Sequence, residues 1–355
     1  MSVFIIAEAG VNHNGDIETA FRLIDAAVEA GADAIKFQTF SSEKLATSFA
    51  DQAMYQRENI GKKQSQLDML KQLELSHDEF HKLVEHCRAN NIEFLSTAFD
   101  FGSLEFLTNE INVRKLKIPS GEITNGPFLL AHALTGKEII LSTGMATLDE
   151  VTMALGVLAF GYLRRDEKPS TKAFESVYCS DIGKQMLKEK VTLLHCTTDY
   201  PCAVADVNLR AMDTMADAFD MSVGYSDHSE GIVIPIAAVA RGAVLIEKHF
   251  TLDRNLPGPD HKASLQPNEL KEMINAVRDV QCALGDGVKF PRGTELNNRN
   301  VIRKSLVAAQ RIKKGDVFTE KNIEIKRPGT GHSPMEYWSL LGSTSQKDYE
   351  IEEII

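Results

Sequence analysis

Short apolar runs of strand length alternate along the chain with amphipathic stretches of helix length. The two clearest runs are Met221–Gly224 and Val244–Glu247, and an apolar segment at 232–243 is long enough to form a helix between them. Each run leads directly into polar residues, 226–228 (Ser-Asp-His) after the first and 248–249 (Lys-His) after the second. This pattern predicts a βαβ unit with polar groups at the carboxyl ends of its strands, where parallel sheets place their active sites.

The same alternation repeats along the chain before this unit. Each earlier apolar run also ends in residues that could belong to a site, at positions 4–7, 34–35, 93–95, 115–116, 138–141 and 191–194. With the last two runs this gives about eight strand–helix pairs, the repeat of a (β/α)₈ barrel. An open doubly wound sheet would concentrate polar strand ends near one switch point. The sequence therefore predicts an α/β protein with a TIM barrel over residues 1–285.

Helix boundaries are marked by local signals. A helix over Ile17–Ala30 is predicted from its periodicity, and a second one from Thr147 as N-cap with Glu150 as its capping-box partner. Ser41–Leu75 has few strong apolar repeats, which predicts an extended active-site loop with one helix. The charged segment Arg164–Lys190 is interpreted as a surface insertion.

The alternation of strand-like and helix-like segments ends after Gly285. Residues 286–300 are interpreted as a polar linker, and residues 301–355 as a small module with strand-like pieces and a Tyr337–Leu341 cluster that supplies core. A module of fewer than about 70 residues has a marginal core of its own. It is therefore predicted to dock, either as a lid over its own barrel or on a partner subunit.

Composition and charge narrow the classes of function. The net charge of −11 without a basic stripe argues against nucleic acid as a partner. No apolar run is long enough to cross a bilayer, and no membrane partner is expected. The five cysteines form no CxxC pair, and the chain shows no leader segment, so a cytoplasmic protein without a disulfide framework is predicted.

Two histidines, His228 and His249, follow adjacent predicted strands. Neutral imidazoles at neighbouring strand ends can share one divalent metal ion. The alternative is a pair of hydrogen-bonded histidines at the edge of the core. Taken alone, the pair favours the structural alternative.

Two lysines, Lys36 and Lys117, also lie at strand ends. Hydroxyl side chains accompany them at Thr97, Ser120, Ser142 and Ser226. Ammonium and hydroxyl groups around one mouth suit a small phosphorylated carboxylate, since each oxygen needs a donor. Either lysine could instead be a rim residue or form a Schiff base.

Carboxylates complete the candidate chemistry. Glu8 and Glu122 lie at strand ends, where each could act as a general base, accept from a sugar hydroxyl or form an ion pair with a lysine. Asp260, in a loop near the histidines, could bind sugar hydroxyls or serve only as a turn residue. His195 is predicted to be a core histidine, and Cys196 a packing residue rather than a nucleophile.

With these residues in hand, the chain resembles the bacterial sialic acid synthases and the related legionaminic acid synthases. The resemblance covers nearly the whole chain and depends on ten phrases in order. They are AEAGVNHNG (7–15), IKFQTF (35–40), STAFD (96–100), KIPSGE (117–122), STGMAT (142–147), HCTTDYP (195–201), VGYSDHSEG (223–231), IEKHFTLDR (246–254), GPDH (258–261) and KRPGTG (326–331).

The resemblance implies an enzyme that condenses phosphoenolpyruvate with an N-acetylated mannose-type sugar and releases phosphate. It implies a TIM barrel followed by a small antifreeze-like (SAF) domain in a domain-swapped homodimer. The implied cofactor is a divalent metal, usually Mn²⁺, with Mg²⁺ or Co²⁺ as alternatives, held by His228 and His249. Water would add to the reacting centre with help from Glu122 first and Glu8 second.

Carried over position by position, the resemblance also implies the substrate contacts. Phosphoenolpyruvate would meet Lys36, Thr97, Lys117, Ser120, Ser142 and Ser226. The sugar would meet Gln38, Phe99, Glu122, Tyr200 and Asp260, with Arg327 of the other subunit contacting its N-acetyl group. Thr198 would also contact phosphoenolpyruvate. Some members of the family carry Asn at this position, so this chain departs from the family pattern here.

Three alternatives remain open at this point. The sugar could be N-acetylmannosamine, which is the first choice, or the 2,4-diacetamido-2,4,6-trideoxymannose of the legionaminic branch. The barrel could instead be an aldolase that uses Lys117 as a Schiff base. A carbohydrate-binding module on an inactive barrel is the least favoured, because the lysines, histidines and carboxylates are all present.

Overall fold

The computed structural model of the protein describes residues 2–52, 54–60, 64–164 and 166–355. The chain divides into two compact units, Met1–Gly285 and Asp286–Ile355. No helix in the described part of the chain combines the length and the apolar character that crossing a membrane requires.

The first unit is built on a closed barrel of eight parallel strands in sequential order, with the first strand paired to the eighth. This confirms the predicted (β/α)₈ barrel. The strands are β1 Phe4–Gly10, β2 Ala34–Thr39, β3 Glu93–Ala98, β4 Lys115–Ile118, β5 Glu138–Ser142, β6 Val191–His195, β7 Val223–Asp227 and β8 Leu245–His249.

Helices follow the strands and cover the outside of the barrel. Those of eight residues or more are Ile17–Ala30, His77–Ala89, Gly126–Leu134, Leu148–Leu163, Thr171–Tyr178, Asp181–Lys190, Arg210–Phe219, Val233–Ala240 and Pro267–Leu284. The capping box of Thr147 and Glu150 is present as predicted, since each accepts from the other's backbone N–H. A single-turn helix Phe101–Glu105 and a π-turn Phe106–Glu110 lie between β3 and β4.

Two segments differ from expectation. The described part of Ser41–Leu75 carries three short helices rather than one, at Ser42–Leu45, Met54–Ile60 and Gln66–Lys71. Each is two turns or less, too short for an apolar repeat to be recognised in the sequence. The segment interpreted as a charged insertion forms the last two helices before β6, and Val177 and Leu187 of those helices are buried.

The interior of the barrel is filled by one apolar layer. Its members are Ile6, Ala34, Leu95, Ile140, Leu194 and Leu245, with Phe4 packed below them. Gly224 fills the β7 position, because a Cβ there would lie only 2.5 Å from the carbonyl oxygen of Leu245. The functional side chains lie directly above this layer, toward the carboxyl ends of the strands.

Side chains along a strand alternate between its two faces, so the second residue after each layer member also points inward. In order around the barrel these residues are Glu8, Lys36, Thr97, Ser142, Cys196, Ser226 and Glu247. On β4 the same relation joins Lys115, whose Nζ lies 4.3 Å above the ring of Phe4, to Lys117. The alternation of the strands therefore collects one ring of polar groups at the carboxyl end of the barrel.

The second unit begins with a helix, Gly293–Ile302, within the segment that the sequence pattern interpreted as a linker. An antiparallel pair, β9 Ser305–Ala308 and β10 Ile323–Lys326, follows. A one-turn helix, Tyr337–Leu340, packs Tyr337 and Leu340 against the core of this unit. The prediction that Trp338 belongs to this core is wrong: the side chain is 73% exposed, because a single turn cannot direct every residue to one side.

Candidate active site

A cavity of about 300 Å³ opens at the carboxyl end of the barrel. All of the site residues that the sequence predicts within the barrel line it except Glu122. They are Glu8, Lys36, Gln38, Thr97, Phe99, Lys117, Ser120, Ser142, Thr198, Tyr200, Ser226, His228, His249 and Asp260. The cavity is also lined by Glu247, which the sequence pattern did not single out, and by an apolar group from the 41–75 segment.

Four buried charges form the floor of this cavity, and we call Glu8, Lys36, Lys117 and Glu247 the inner charge cluster. Lys36 Nζ lies 2.6 Å from Glu8 Oε2 and 3.6 Å from Glu247 Oε2. Lys117 Nζ lies 3.3 Å from Glu247 Oε1. Each of the four side chains is 6% exposed or less, so these charges interact in a medium of low polarity.

The two carboxylates of the cluster have opposite protonation behaviour. Burial raises the pKa of Glu8 to about 7, although Lys36 acts against this shift. Burial would also raise the pKa of Glu247, but Lys117, Lys36 and a hydrogen bond from Ser226 outweigh it and lower the pKa to about 2. Glu8 can therefore carry or release a proton near neutral pH, whereas Glu247 stays ionised.

The two lysines also differ. Burial acts to lower the pKa of Lys36, but Glu247 and Glu8 outweigh it and hold that pKa above its usual value. For Lys117, burial is only partly offset by Glu247, and the pKa is lowered. Lys36 is thus a fixed cation between two carboxylates, and Lys117 is the lysine that would gain most from an added anion.

Three hydroxyls surround the cluster. Lys36 Nζ donates to Thr97 Oγ1 at 3.0 Å, and Lys117 Nζ donates to Ser142 Oγ at 2.7 Å. Ser226 Oγ donates to Glu247 Oε1 at 2.8 Å. Ammonium groups and hydroxyls at one floor offer several donors to an anionic ligand.

One wall of the cavity depends on a glycine. The backbone N–H of Gly144 donates to Ser120 Oγ at 3.0 Å, and Ser120 Oγ lies 3.1 Å from Cys196 Sγ. A Cβ at Gly144 would come within 2.3 Å of Thr198 Oγ1 and 2.8 Å of Ser120 Oγ. A residue with a side chain at this position would therefore displace Ser120 and Thr198 from the cavity wall.

The two predicted metal-binding histidines stand together at one side of the cavity, with ring centroids 5.7 Å apart. Their donor atoms suit a divalent metal. Nδ1 of His228 donates to the carbonyl of Thr197 at 2.6 Å, which leaves the lone pair on Nε2. Nδ1 of His249 is buried and has no hydrogen-bond partner. Burial lowers the pKa of His228 to about 4 and that of His249 well below its usual value, so both imidazoles are neutral.

No group of three or more His, Cys, Asp or Glu side chains in the described residues could hold a metal ion. A metal on this pair would therefore keep most of its coordination positions for water or substrate, as catalytic rather than structural sites do. Mn²⁺ and its neighbours in the first transition row accept imidazole together with oxygen ligands.

An aromatic ring and an acid lie beside the histidines. The ring of Tyr200 lies 4.1 Å from that of His228, centroid to centroid. Asp260 is 7% exposed, and burial raises its pKa to about 6, with Lys36 acting in the opposite direction. Both groups line the cavity above the inner charge cluster.

One residue predicted for the barrel's own site does not line this cavity. Glu122 is half-buried outside the lining, where its Oε2 accepts from Asn125 Nδ2 at 2.6 Å. Arg327, which is expected to contact the sugar from the other subunit, is exposed in the second unit, and its contact stays a prediction. His195 does not line the cavity either, and its Nε2 is 2.8 Å from the carbonyl of Val207, in line with the predicted structural role.

Glu247 is the inner residue that sequence reasoning missed. It was treated as the last residue of an apolar run, although it lies two positions before His249 and therefore on the same face of β8. The alternation of β8 was the signal that could have found it.

Comparisons with known proteins identify the family of both units. Residues 23–289 match the NeuB family and residues 303–355 the SAF domain. The chain is 47% identical to an N,N′-diacetyllegionaminic acid synthase of Campylobacter jejuni, over 99% of this chain and 98% of the relative. It is 43% identical to the N,N′-diacetyllegionaminic acid synthase of Legionella pneumophila, over 97% and 90%.

Among solved structures, the protein is similar to an N-acetylneuraminic acid (sialic acid) synthetase from Leptospira borgpetersenii in complex with citrate. The TM-score is 0.67 at 36% sequence identity, and the match covers 84% of this chain and 90% of the other. The barrel, the ring of polar residues at its carboxyl end and these matches along nearly the whole length lead to one conclusion: the chain belongs to the NeuB family.

Proposed function

We propose that this chain is a nonulosonate synthase that condenses phosphoenolpyruvate with 2,4-diacetamido-2,4,6-trideoxymannose to give N,N′-diacetyllegionaminate and phosphate. The observation that carries the proposal is the inner charge cluster beside the histidine pair in one cavity. The named relatives support the reaction type, since they are nonulosonic acid synthases.

Phosphoenolpyruvate would bind at the floor. Its phosphate and carboxylate oxygens can accept from Lys36 and Lys117, and from the hydroxyls of Thr97, Ser142 and Ser226. Lys117, whose pKa is lowered by burial, gains a counter-charge when the anion binds. The lysines need only provide charge and hydrogen bonds, and no covalent bond to either of them is required.

Glu8 is the carboxyl group best suited to move a proton in this site. As C3 of phosphoenolpyruvate bonds to the aldehyde carbon, the aldehyde oxygen takes a proton from Glu8. Water then adds to the cationic C2 and returns a proton to Glu8. The C–O bond of the tetrahedral intermediate breaks, the hydroxyl proton leaves with phosphate, and the 2-keto acid remains.

This assignment reverses the order expected from the sequence, where Glu122 came first. The pKa of Glu8 is raised to about 7, close to the value that suits a proton carrier at neutral pH. Glu122 lies outside the cavity lining, and its Oε2 accepts from Asn125. Glu247, with its pKa lowered to about 2, instead holds the two lysines in place.

A divalent metal bound by His228 and His249 would polarise the sugar aldehyde as a Lewis acid. The chain's own contribution is to keep both imidazoles neutral and correctly turned, through burial and through the bond from His228 Nδ1 to Thr197. Mn²⁺ is the metal that we propose for the enzyme in the cell.

The choice of sugar depends on the apolar part of the cavity wall. Apolar side chains of one cluster form it: Val11, Leu45, Met69, Leu70, Leu73 and Phe99. N-acetylmannosamine has hydroxyls at C4 and C6, and burying a hydroxyl against apolar carbon without a partner costs about 1–3 kcal/mol. The trideoxy sugar has a methyl group at C6 and an acetamido group at C4. The apolar wall favours those groups, and the carboxamides of Gln56 and Gln66 line the same cavity.

The test is phosphate release from phosphoenolpyruvate with Mn²⁺, with the two sugars offered in parallel. We expect kcat/KM to be higher for the diacetamido sugar and turnover to stop on chelation. Met69→Gln should lower kcat/KM for that sugar by about tenfold without raising the KM of phosphoenolpyruvate. Met54→Gln, the same change on an exposed side chain of the same segment, is the control.

Turnover with N-acetylmannosamine alone would contradict the choice of sugar but keep the reaction. An absence of phosphate release with either sugar would favour the aldolase alternative, which borohydride trapping at Lys117 would then reveal. The homodimer implied by the resemblance and the cytoplasmic location predicted from the composition remain predictions, and sedimentation of the purified protein tests the first of them.

A further inference from the structure

A second pair of buried charges lies directly behind the two histidines. Asp227 is the last residue of β7 and Lys248 the last but one of β8, and they are register partners. Lys248 Nζ is 2.5 Å from Asp227 Oδ2, and both side chains are 0% exposed. We call these two residues the outer ion pair.

The outer ion pair cannot touch substrate. Side chains alternate along a strand, so Asp227 and Lys248 point away from the barrel interior that Ser226 and Glu247 face. Neither residue lines the cavity. Each of them directly precedes a histidine in the sequence, His228 or His249.

The pair is tied to the backbone around His228. Asp227 Oδ1 accepts from Ser229 N at 3.0 Å and from Ser229 Oγ at 2.7 Å, and from the Tyr225 hydroxyl at 3.1 Å. Lys248 Nζ also donates to the carbonyl of Ser229. The residues on both sides of His228 are therefore fixed by directional hydrogen bonds.

This support is needed because the β-ladder ends here. The register pairs of β7 and β8 stop at Asp227 and Lys248, so His228 lies beyond the last pair. Other contacts of His228 are the N–H of Cys202, which donates to the His228 carbonyl at 2.8 Å, and on the imidazole the Thr197 carbonyl, the Ser226 hydroxyl and the Tyr200 ring. The outer ion pair is the connection between this loop and the strand that carries His249.

We propose that Asp227 and Lys248 are positioning residues that hold the two imidazoles at the separation a divalent metal requires, so that metal affinity depends on the pair. The inference rests on the metal role in the proposed function. A need for stability alone does not explain the pair, since apolar residues of similar volume commonly replace a buried ion pair without loss of stability.

That property supplies the test. In the double variant Asp227→Leu/Lys248→Met no charge is left unpaired, so the full-length protein is expected to unfold at a temperature close to that of the wild type. Its Kd for Mn²⁺, measured by titration of the metal-free enzyme, should rise by about 10- to 100-fold. The absorption spectrum of bound Co²⁺ should change as well, because the ligand geometry changes.

A matched control exists at the other end of the barrel. Arg278 Nη2 lies 2.7 Å from Asp33 Oδ2, about one third exposed, and Asp33 also accepts from the backbone N–H of Ile5. Asp33→Leu/Arg278→Met should leave the Kd for Mn²⁺ unchanged. The milder variant Ser229→Ala removes one bond to Asp227 and should raise that Kd by about threefold, which keeps the inference testable if the double variant does not fold.

Unchanged Mn²⁺ affinity in a folded double variant, or in Ser229→Ala if that alone folds, would overturn the inference and leave the proposed function standing. A wild-type enzyme that binds no Mn²⁺ would overturn the metal role and the inference with it. Equal losses of affinity in the control at Asp33 would also overturn it, because the effect would then be a general loss of packing.

Discussion

Buried charges lie on both faces of strand β8, Glu247 on the inner face and Lys248 on the outer face, and the two sets to which they belong are built in opposite ways. On the inner face, Glu247 shares its two oxygens between Lys36 and Lys117, and Glu8 adds a second carboxylate. On the outer face, Asp227 and Lys248 form one pair with 0% exposure. Glu247 and Lys248 are consecutive residues of β8, so the two sets lie on opposite faces of that strand.

The difference lies in how completely each set is satisfied. The outer ion pair has hydrogen bonds from Tyr225 and Ser229 and a bond to the Ser229 carbonyl, so both charges have fixed partners. In the inner charge cluster, burial raises the pKa of Glu8 to about 7 and lowers the pKa of Lys117. A site that must bind an anion and move a proton keeps groups whose charge is not yet balanced.

The largest expected effect is on the inner face. Lys117→Met removes a cation that contacts both Ser142 and Glu247. We expect kcat/KM for phosphoenolpyruvate to fall by about 10³-fold or more, because charge-assisted hydrogen bonds to the anion are lost. Phosphate release under saturating sugar measures it.

Lys115→Met is the control for this variant. Lys115 lies on the same strand and the same side as Lys117, but at the opposite end, with its Nζ 4.3 Å from the ring of Phe4. Its replacement should leave kcat/KM unchanged. A loss of less than tenfold in Lys117→Met would remove this lysine from the site.

The second expected effect is on stability, which should depend more on the outer face than on the inner face. Lys248→Met leaves Asp227 buried without its counter-charge and should lower the free energy of unfolding by about 3 kcal/mol or more. Lys117→Met should lower it less, because Glu247 keeps Lys36 as a counter-charge and burial already disfavours the charged form of Lys117. Urea unfolding of the two variants compares them directly, and equal losses would mean that the inner cluster is structural too.

The inner face could be predicted from the sequence to a large extent, because each of its residues follows an apolar run by a fixed spacing. The same reasoning predicted the barrel and the helix Ile17–Ala30, whose end at Gly31 has φ 86°. Glu247 was missed because it is the last residue of the apolar run 244–247, and site residues were sought only after the end of each run.

The outer face could not be predicted in the same way. The contact of Asp227 with Lys248 depends on the register between β7 and β8, and a pattern within one strand carries no information on register. The short helices in 41–75 and the exposure of Trp338 were missed for a related reason: one or two turns contain too few residues for a periodicity.

A third prediction concerns a neutral group in the helix layer outside the barrel. His132 is fully buried, its Nδ1 is 2.8 Å from the Phe128 carbonyl, and its Nε2 has no partner. Burial lowers its pKa to about 4. Below pH 6.5 the unfolded chain binds a proton that the native state does not, so this residue makes stability fall as pH falls from about 6.5 towards 4.

Replacement of this histidine should remove that part of the pH dependence. In His132→Asn, the difference in unfolding free energy between pH 7.5 and pH 5 should shrink by about 2 kcal/mol relative to the wild type. Urea unfolding at the two pH values measures it, with kcat/KM at pH 7.5 expected to stay constant. A difference as large as that of the wild type would mean that other buried histidines account for the acid sensitivity.

The smallest expected effect is at Cys196. Its side chain faces inward like those of the inner charge cluster, but its hydrogen-bond contact is with a serine hydroxyl. Its Sγ lies 3.1 Å from Ser120 Oγ, and a serine hydroxyl can keep that contact. Cys196→Ser should therefore change kcat/KM by about threefold or less. A loss above about 10²-fold, together with protection of the wild-type thiol from alkylation by phosphoenolpyruvate, would instead indicate covalent chemistry. If activity is kept, the chemistry of the inner face depends on its four charges and its histidines, and position on that face is not by itself enough to make a residue catalytic.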